Sequence, residues 1–250
     1  MSRTILITGA SSGFGAKCAE LFAKDGDKVI LTARRTDKLD EVKAGLNPNN
    51  SYCYELDVTS AESIQSLFSK LKQDNLVPDT LINNAGLAIG TNPFPDTELE
   101  DWKTVIDTNI YGLVAVAKSF VENLMEGKPA IIINLGSVAG DAPYPGGNVY
   151  GGSKAFVSQF SKNLRIDLFG KNIRVGCIKI GAAETEFSIV RFEGDKEKAK
   201  KAYEGYRQLV AEDVASAIHW MVNRPEHVCI DELSIMPTDQ TYAGLKTTAS

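Results

Sequence analysis

The sequence predicts an α/β fold built on one doubly wound, parallel sheet. Three observations lead there. Short apolar runs recur along the whole chain, and helix-length segments separate them. The runs are mostly continuously apolar rather than alternating, as strands covered on both faces are. This strand-helix rhythm implies right-handed crossovers between parallel neighbours.

The elements follow in order. Ile5–Thr8 is an uncharged strand that ends on a glycine turn, and Gly15–Asp25 supplies the first helix. Lys28–Ala33 and Ser51–Asp57 are the second and third strands, and Ala61–Gln73 is a helix. Thr80–Asn83 is a short fourth strand before a turn-rich link over residues 86–99. Trp102–Met125 reads as one long apolar helix, followed by the strand Ala130–Leu135 and the helix Tyr150–Phe169. Arg174–Ile180, the helix Glu212–Asn223 and Glu232–Met236 close the series. Residues 182–208 break the rhythm and include the charged run Lys196–Lys201, read as a solvated face. A long insertion after a strand end often covers an active site, so 182–208 is a candidate lid.

At 250 residues, with no repeat, low-complexity tract or linker, the chain is expected to form a single domain over 1–250. The net charge of -5 comes without the basic patch a nucleic-acid surface needs. No stretch is long enough for a membrane span, and no secretory signal precedes the first strand. Cys18, Cys53, Cys177 and Cys229 are scattered without Cys-x-x-Cys spacing. Reduced thiols and a cytoplasmic location are therefore expected.

The first strand runs into Thr8-Gly9-Ala10-Ser11-Ser12-Gly13-Phe14-Gly15. Glycines there allow a tight turn and let a pyrophosphate approach the backbone, while the following helix offers free N–H groups and a favourable dipole. At a first strand-helix junction this is the placement of a Rossmann dinucleotide site. Gly9, Ser11, Ser12, Gly13, Phe14 and Gly15 are the candidate contacts. The second strand ends Ala33-Arg34-Arg35, with no carboxylate for a ribose 2′-hydroxyl. Arginine forks suit a 2′-phosphate, so Arg34 and Arg35 favour NADP over NAD, with Asp37 as the nearby counter-argument.

His219 and His227 lie late in the chain without a nucleophile motif, and no His/Cys/carboxylate cluster suggests a metal site. Tyr150 and Lys154 are spaced to project from one helix face. An ammonium beside a phenol favours phenolate, which suits proton transfer at a carbonyl or alcohol oxygen. Tyr242 and Lys246 repeat the spacing, so context decides. Tyr150 follows Ser137, just beyond the carboxyl end of the fifth strand, where open α/β sheets place ligands.

Together with Asp57-Val58, Asn83-Asn84-Ala85-Gly86 and Asn109, these motifs make the chain resemble a short-chain dehydrogenase/reductase from end to end. The resemblance implies a seven-stranded Rossmann sheet and a homotetramer. It implies that Asn109 holds a relay water, Ser137 orients substrate, Tyr150 is the acid/base and Lys154 grips the nicotinamide ribose. Asp57 and Val58 would flank the adenine, and Asn84, Ala85 and Gly86 would line the cofactor cleft. Asn84–Ala88, Gly146–Tyr150 and Thr185–Phe192 are further similar to the NADP-dependent 3-hydroxy acid dehydrogenases, whose relatives include sulfoacetaldehyde reductases.

Such substrates are small anionic alcohols or carbonyls, and Arg191 is the candidate cation for them, beside Ser137 and Tyr150. A salt bridge from Arg191 to Glu186 or Glu193 is the alternative. The family's Pro-Gly after strand six is here Ile180-Gly181, so Gly181 and Thr185 are kept as cofactor contacts while the loop geometry is open. Lys179 is expected to point to solvent. An epimerase or dehydratase with the same pair would need a larger C-terminal region, and a non-catalytic sensor need not keep all four tetrad positions.

Overall fold

The computed structural model describes residues 2–242 except 125–126, 193, 196, 199–204 and 206. Seven parallel strands form one sheet in the order β3-β2-β1-β4-β5-β6-β7. They are β1 Thr4–Thr8, β2 Lys28–Ala33, β3 Ser51–Glu55, β4 Thr80–Asn83, β5 Ala130–Leu135, β6 Ile173–Ile180 and β7 Glu232–Ile235. The helices are α1 Gly13–Lys24, α2 Thr36–Ala44, α3 Ala61–Gln73, α4 Leu99–Ile106, α5 Leu113–Glu122, α6 Asn148–Asp167, α7 Glu186–Arg191 and α8 Ala211–Val222. This is the Rossmann-type α/β architecture that the sequence predicts.

Alternation along the strands divides the core into two layers. Ile5 and Ile7 of β1 pack with Phe22 of α1 and Ile218 of α8. Leu6 faces the other way, with Leu67 of α3, Phe120 of α5 and Ile132 of β5. Burial on both faces is what makes the strands read as unbroken apolar runs. Strand order changes direction between β1 and β4, which opens a crevice at the carboxyl ends of the central strands.

Three elements differ from expectation. α2 has a single buried residue, Leu39, so it carries no apolar stripe to read. The expected helix Trp102–Met125 begins at Leu99 and is interrupted by a π-helical turn at Asp107–Gly112, between α4 and α5. At that turn a Cβ on Gly112 would lie 2.8 Å from Val58 Cγ2, so glycine lets the widened backbone seat against the β3–α3 loop. Met125 lies outside the described residues, as do Lys246 and most of the run Lys196–Lys201; Lys198 is exposed and paired with Asp195. The third strand stops at Glu55, and Asp57 turns to cap the chain instead: its Oδ1 accepts from the Thr59 N–H at 2.9 Å and the Thr59 hydroxyl at 2.7 Å.

His219 joins α8 to the end of α1, with Nε2 2.6 Å from Asp25 Oδ2 and its ring on Phe22. That is the structural part expected of it. All four cysteines are free thiols. Among the described residues no side-chain cluster suits a metal, and no helix is long and apolar enough to cross a membrane.

Candidate active site

A cleft of about 620 Å3 lies over the carboxyl ends of β1, β2 and β4 to β6. Gly9, Ser11, Ser12, Gly13, Phe14, Arg34, Arg35, Asp57, Val58, Asn84, Ala85, Gly86, Ser137, Tyr150, Lys154, Gly181, Thr185 and Arg191 all line it. Two expected site residues, Gly15 and Asn109, stand one layer behind.

The turn after β1 is shaped by glycine and held by asparagine. Gly9 and Gly13 have φ of +65° and +55°, where a side chain is strained. A Cβ on Gly15 would sit 2.6 Å from Gly9 O, so the helix packs on the turn only with glycine there. Asn84 Nδ2 donates to Thr8 O at 2.8 Å and Gly9 O at 3.0 Å, while Thr8 Oγ1 accepts from the N–H groups of Asn84 and Ala85. Asn84 therefore supports the turn rather than reaching freely into the cleft. Arg35 Nη2 donates to Ser11 Oγ at 3.1 Å and to Glu186 Oε2 at 3.1 Å, tying β2 to α7 across the cleft mouth. Burial raises the Asp57 carboxyl, but Thr59's hydrogen bonds and the charge of Arg34 outweigh it and hold Asp57 below its ordinary range.

Deeper in, α6 presents Tyr150 and Lys154. Lys154 is buried, with Nζ donating to Leu135 O at 2.8 Å. Burial disfavours its charge and pushes it down to about 8. Nζ lies 5.9 Å from the Tyr150 ring centroid. Gly86 keeps the space above it open, since a Cβ there would meet Asn109 Oδ1 at 3.2 Å and Lys154 Nζ at 3.5 Å. Asn109 sits in the π-helical turn with both ends of its side-chain amide hydrogen-bonded. Oδ1 accepts from the Leu87 N–H at 2.9 Å, and Nδ2 donates to Leu87 O at 2.8 Å and Ser153 Oγ at 3.1 Å. Ser137 Oγ donates to Ile180 O and accepts from the Ala139 N–H, both at 3.1 Å. One lone pair of that hydroxyl is left over.

The outer wall comes from segments far apart in sequence. Arg191 Nη2 donates to the Tyr144 hydroxyl at 2.7 Å. Its guanidinium lies 5.6 Å from the Tyr144 ring centroid and 5.5 Å from that of Tyr150. Its Nε is buried without a hydrogen-bond partner among the described residues. Of the two carboxylates named as alternative partners for it, Glu186 is engaged by Arg35 and Glu193 lies outside the described residues. The Arg191 carbonyl accepts from the Gly90 N–H at 2.8 Å, which pins the end of α7 to the loop after β4.

Lys179 corrects the sequence reading. Instead of pointing to solvent it is only 7% exposed, with Nζ 2.8 Å from both Asp141 Oδ1 and Glu232 Oε1. A buried ammonium needs such partners, and these carboxylates come from the β5–α6 loop and β7, which no local pattern pairs with it. The Ile180-Gly181 departure also resolves. β6 runs to Ile180, and the next residues are held by Gln240, whose Oε1 accepts from the Ala182 N–H at 2.7 Å. A Cβ on Gly181 would collide with that same oxygen. Among the lining residues are Tyr144, Phe187 and Gln240, which sequence reasoning did not single out, although it expected the substrate contacts to come from Pro143–Asn148, Ala182–Phe192 and the C-terminal tail. Gly147 was the available signal for Tyr144: a Cβ there would strike the Tyr144 ring at 2.6 Å. Nothing local marks Gln240.

A dinucleotide cradle feeding a Tyr/Lys pair on the helix after β5 defines an oxidoreductase class, and the comparisons give it its family. Residues 3–196 match the family model described as short chain dehydrogenase, and the chain belongs to that family. It is 46% identical to a serine 3-dehydrogenase of Rhizobium radiobacter over 246 residues, 98% of each protein. It is likewise 46% identical to an NADP-dependent 3-hydroxy acid dehydrogenase of Escherichia coli (strain K12) over 242 residues, 96% of this chain and 97% of that protein. A closed form of serine dehydrogenase complexed with NADP+ superposes with a TM-score of 0.93 at 45% identity, covering 98% of this chain and 99% of the other.

Proposed function

We propose that the protein is an NADP(H)-dependent oxidoreductase that interconverts a small 3-hydroxy acid, such as serine or 3-hydroxypropionate, with its aldehyde or ketone. The observation that carries the reading is Arg191, a guanidinium with no described carboxylate partner, set against the Tyr150 ring. A fork of donors beside an acid/base suits an anion attached close to the reacting carbon.

The cleft fits NADP. Its turn has the glycines that a pyrophosphate approach requires, and Arg34 and Arg35 stand where the 2′-phosphate would lie. Gly9, Ser11, Ser12, Gly13 and Phe14 would hold the phosphates, with Gly15 supporting the turn. Asp57 and Val58 would flank the adenine, and Ala85, Gly86, Gly181 and Thr185 the nicotinamide half. When bound, the cofactor supplies or accepts the hydride. Tyr150 then moves the proton at the substrate oxygen, and Ser137 hydrogen-bonds that oxygen once it releases Ile180. Lys154 grips the ribose and favours the ionised phenol. Since the Asn109 side chain is committed to Leu87 and Ser153, its part in a proton relay falls to the main chain of the π-helical turn.

We take residues 1–250 as one domain and 182–208 as its lid, and among the described residues of that stretch α7 brings Phe187 and Arg191 to the cleft. A homotetramer accounts for the large apolar side chains exposed on α6, Phe156 and Ile166, with Phe169 in the turn just beyond it, and for Ile106 at the end of α4 and Tyr111 in the π-helical turn. Sulfoacetaldehyde reduction to isethionate is the second reading, because the same guanidinium fork also accepts a sulfonate. Oxidation of serine and 3-hydroxypropionate with NADP+, run beside reduction of sulfoacetaldehyde with NADPH, separates the two. A higher kcat/KM for the hydroxy acids is expected; turnover of none of the three would contradict an acidic substrate.

A further inference from the structure

We propose that Arg191 favours the ionised form of Tyr150, so that two cations, one on α6 and one on α7, set the pH at which this phenol gives and takes its proton. The inference rests on the reading of Tyr150 as acid/base and assigns Arg191 a task beyond holding an anion.

The groups around the ring carry the case. From α6, Lys154 Nζ is 5.9 Å from the Tyr150 centroid. From α7, the Arg191 guanidinium lies over the same ring at 5.5 Å and Phe187 packs at 5.7 Å. The β5–α6 segment adds Ser137 and Tyr144, neither charged in its ordinary form, and the Tyr144 hydroxyl accepts from Arg191. The carboxylates lining this cleft among the described residues are Asp57 and Glu186, held by Thr59 and by Arg35. Two cations are therefore set against the ring, one from α6 and one from α7.

The two cations are not equivalent. Burial opposes the charge on Lys154, leaving it only partly protonated just above neutral pH. A guanidinium stays protonated throughout the working range. A phenolate spreads negative charge into its ring, so a cation over the ring stabilises the ionised form more than the neutral one. At this separation a unit charge displaces a titration by about one pH unit, between protein-like and water-like screening. Because the cation arrives on α7, seating of that helix and readiness of the proton donor are coupled. The Gly90 N–H bond to the Arg191 carbonyl is what fixes it there.

The test is a spectrophotometric titration of tyrosinate, which needs no substrate. The difference between wild type and Tyr150→Phe isolates Tyr150; the difference between Arg191→Met and Arg191→Met/Tyr150→Phe does so without the guanidinium. The expected result is a Tyr150 midpoint about one pH unit higher in the Arg191→Met background, with Arg191→Lys returning most of the shift. Arg191→Gln, which keeps a donor for Tyr144, serves if the methionine variant does not fold. Equal midpoints with and without the guanidinium would overturn the inference. Retained activity in Tyr150→Phe would instead remove the acid/base reading, an outcome the titration does not mimic.

Discussion

The two ends of the cleft are built by different means. The cofactor end is made of backbone: a turn whose glycines take positive φ or admit no Cβ, braced by Asn84 from the neighbouring strand. The end proposed for the substrate is made of side chains that meet only in three dimensions: Tyr144, Phe187, Arg191 and Gln240. Between them lies the buried Lys154, which belongs to both. The first end tolerates little change of any kind, whereas the second is open to change in what it recognises.

The largest expected effect breaks the cofactor end. Gly15→Ala drives a methyl against Gly9 O and Ala10 Cα, both backbone atoms that cannot swing aside. It should destabilise the fold by about 1–3 kcal/mol, read by thermal unfolding, and abolish NADPH binding in a fluorescence titration. Next, Arg35→Ala removes a fork from the proposed 2′-phosphate site. NADPH affinity should fall by about 10- to 100-fold while NADH is nearly unaffected, a result that equal losses for both would contradict.

Arg191→Gln sharpens the comparison from the other side. The KM for an anionic substrate should rise by roughly 10- to 100-fold with NADPH affinity unchanged, if the two ends are as separable as their construction suggests. The smallest effect concerns Lys154, in the middle. Its folded-state pKa is lowered from 10.5 to about 8 by burial. Below about pH 8 the lysine is protonated in both folded and unfolded chains, and the fold bears the full cost of a buried charge. Between there and pH 10.5 only the unfolded chain holds the proton, so stability rises with pH. Lys154→Met should therefore stabilise the apo protein at pH 7 by a net of about 1–2 kcal/mol, the lost bond to Leu135 O being set against roughly 3 kcal/mol for the lowered pKa, and the gain should vanish above pH 10.5. An equal gain at all pH values would mean that the charge is not what burial penalises.

The same contrast explains what was legible in the sequence. Buried strands between helices announce themselves as apolar runs, and the glycine turn and Tyr150/Lys154 are local patterns, so the sheet and the inner site could be read directly. α2 could not, because only Leu39 of that helix is buried. The π-helical break at Asp107–Gly112 could not either, since the contact seen there, Gly112 against Val58, joins residues some fifty positions apart. Lys179 looked like a surface charge because its carboxylates, Asp141 and Glu232, come from a loop and a strand that only the folded sheet brings near. Arg191 could be named because its chemistry is distinctive, and it lines the cleft. Gln240 could not, because its task is a single hydrogen bond to Ala182 at the far end of the chain.

The most direct test of the central claim is NADPH oxidation, with NADH in parallel, on malonic semialdehyde and sulfoacetaldehyde by wild type and Tyr150→Phe. An acid/base tyrosine predicts NADPH-preferring turnover that falls by about 100- to 10,000-fold in the variant, with NADPH still bound. Turnover unchanged by the loss of that hydroxyl would contradict the account, whatever the likeness of the fold.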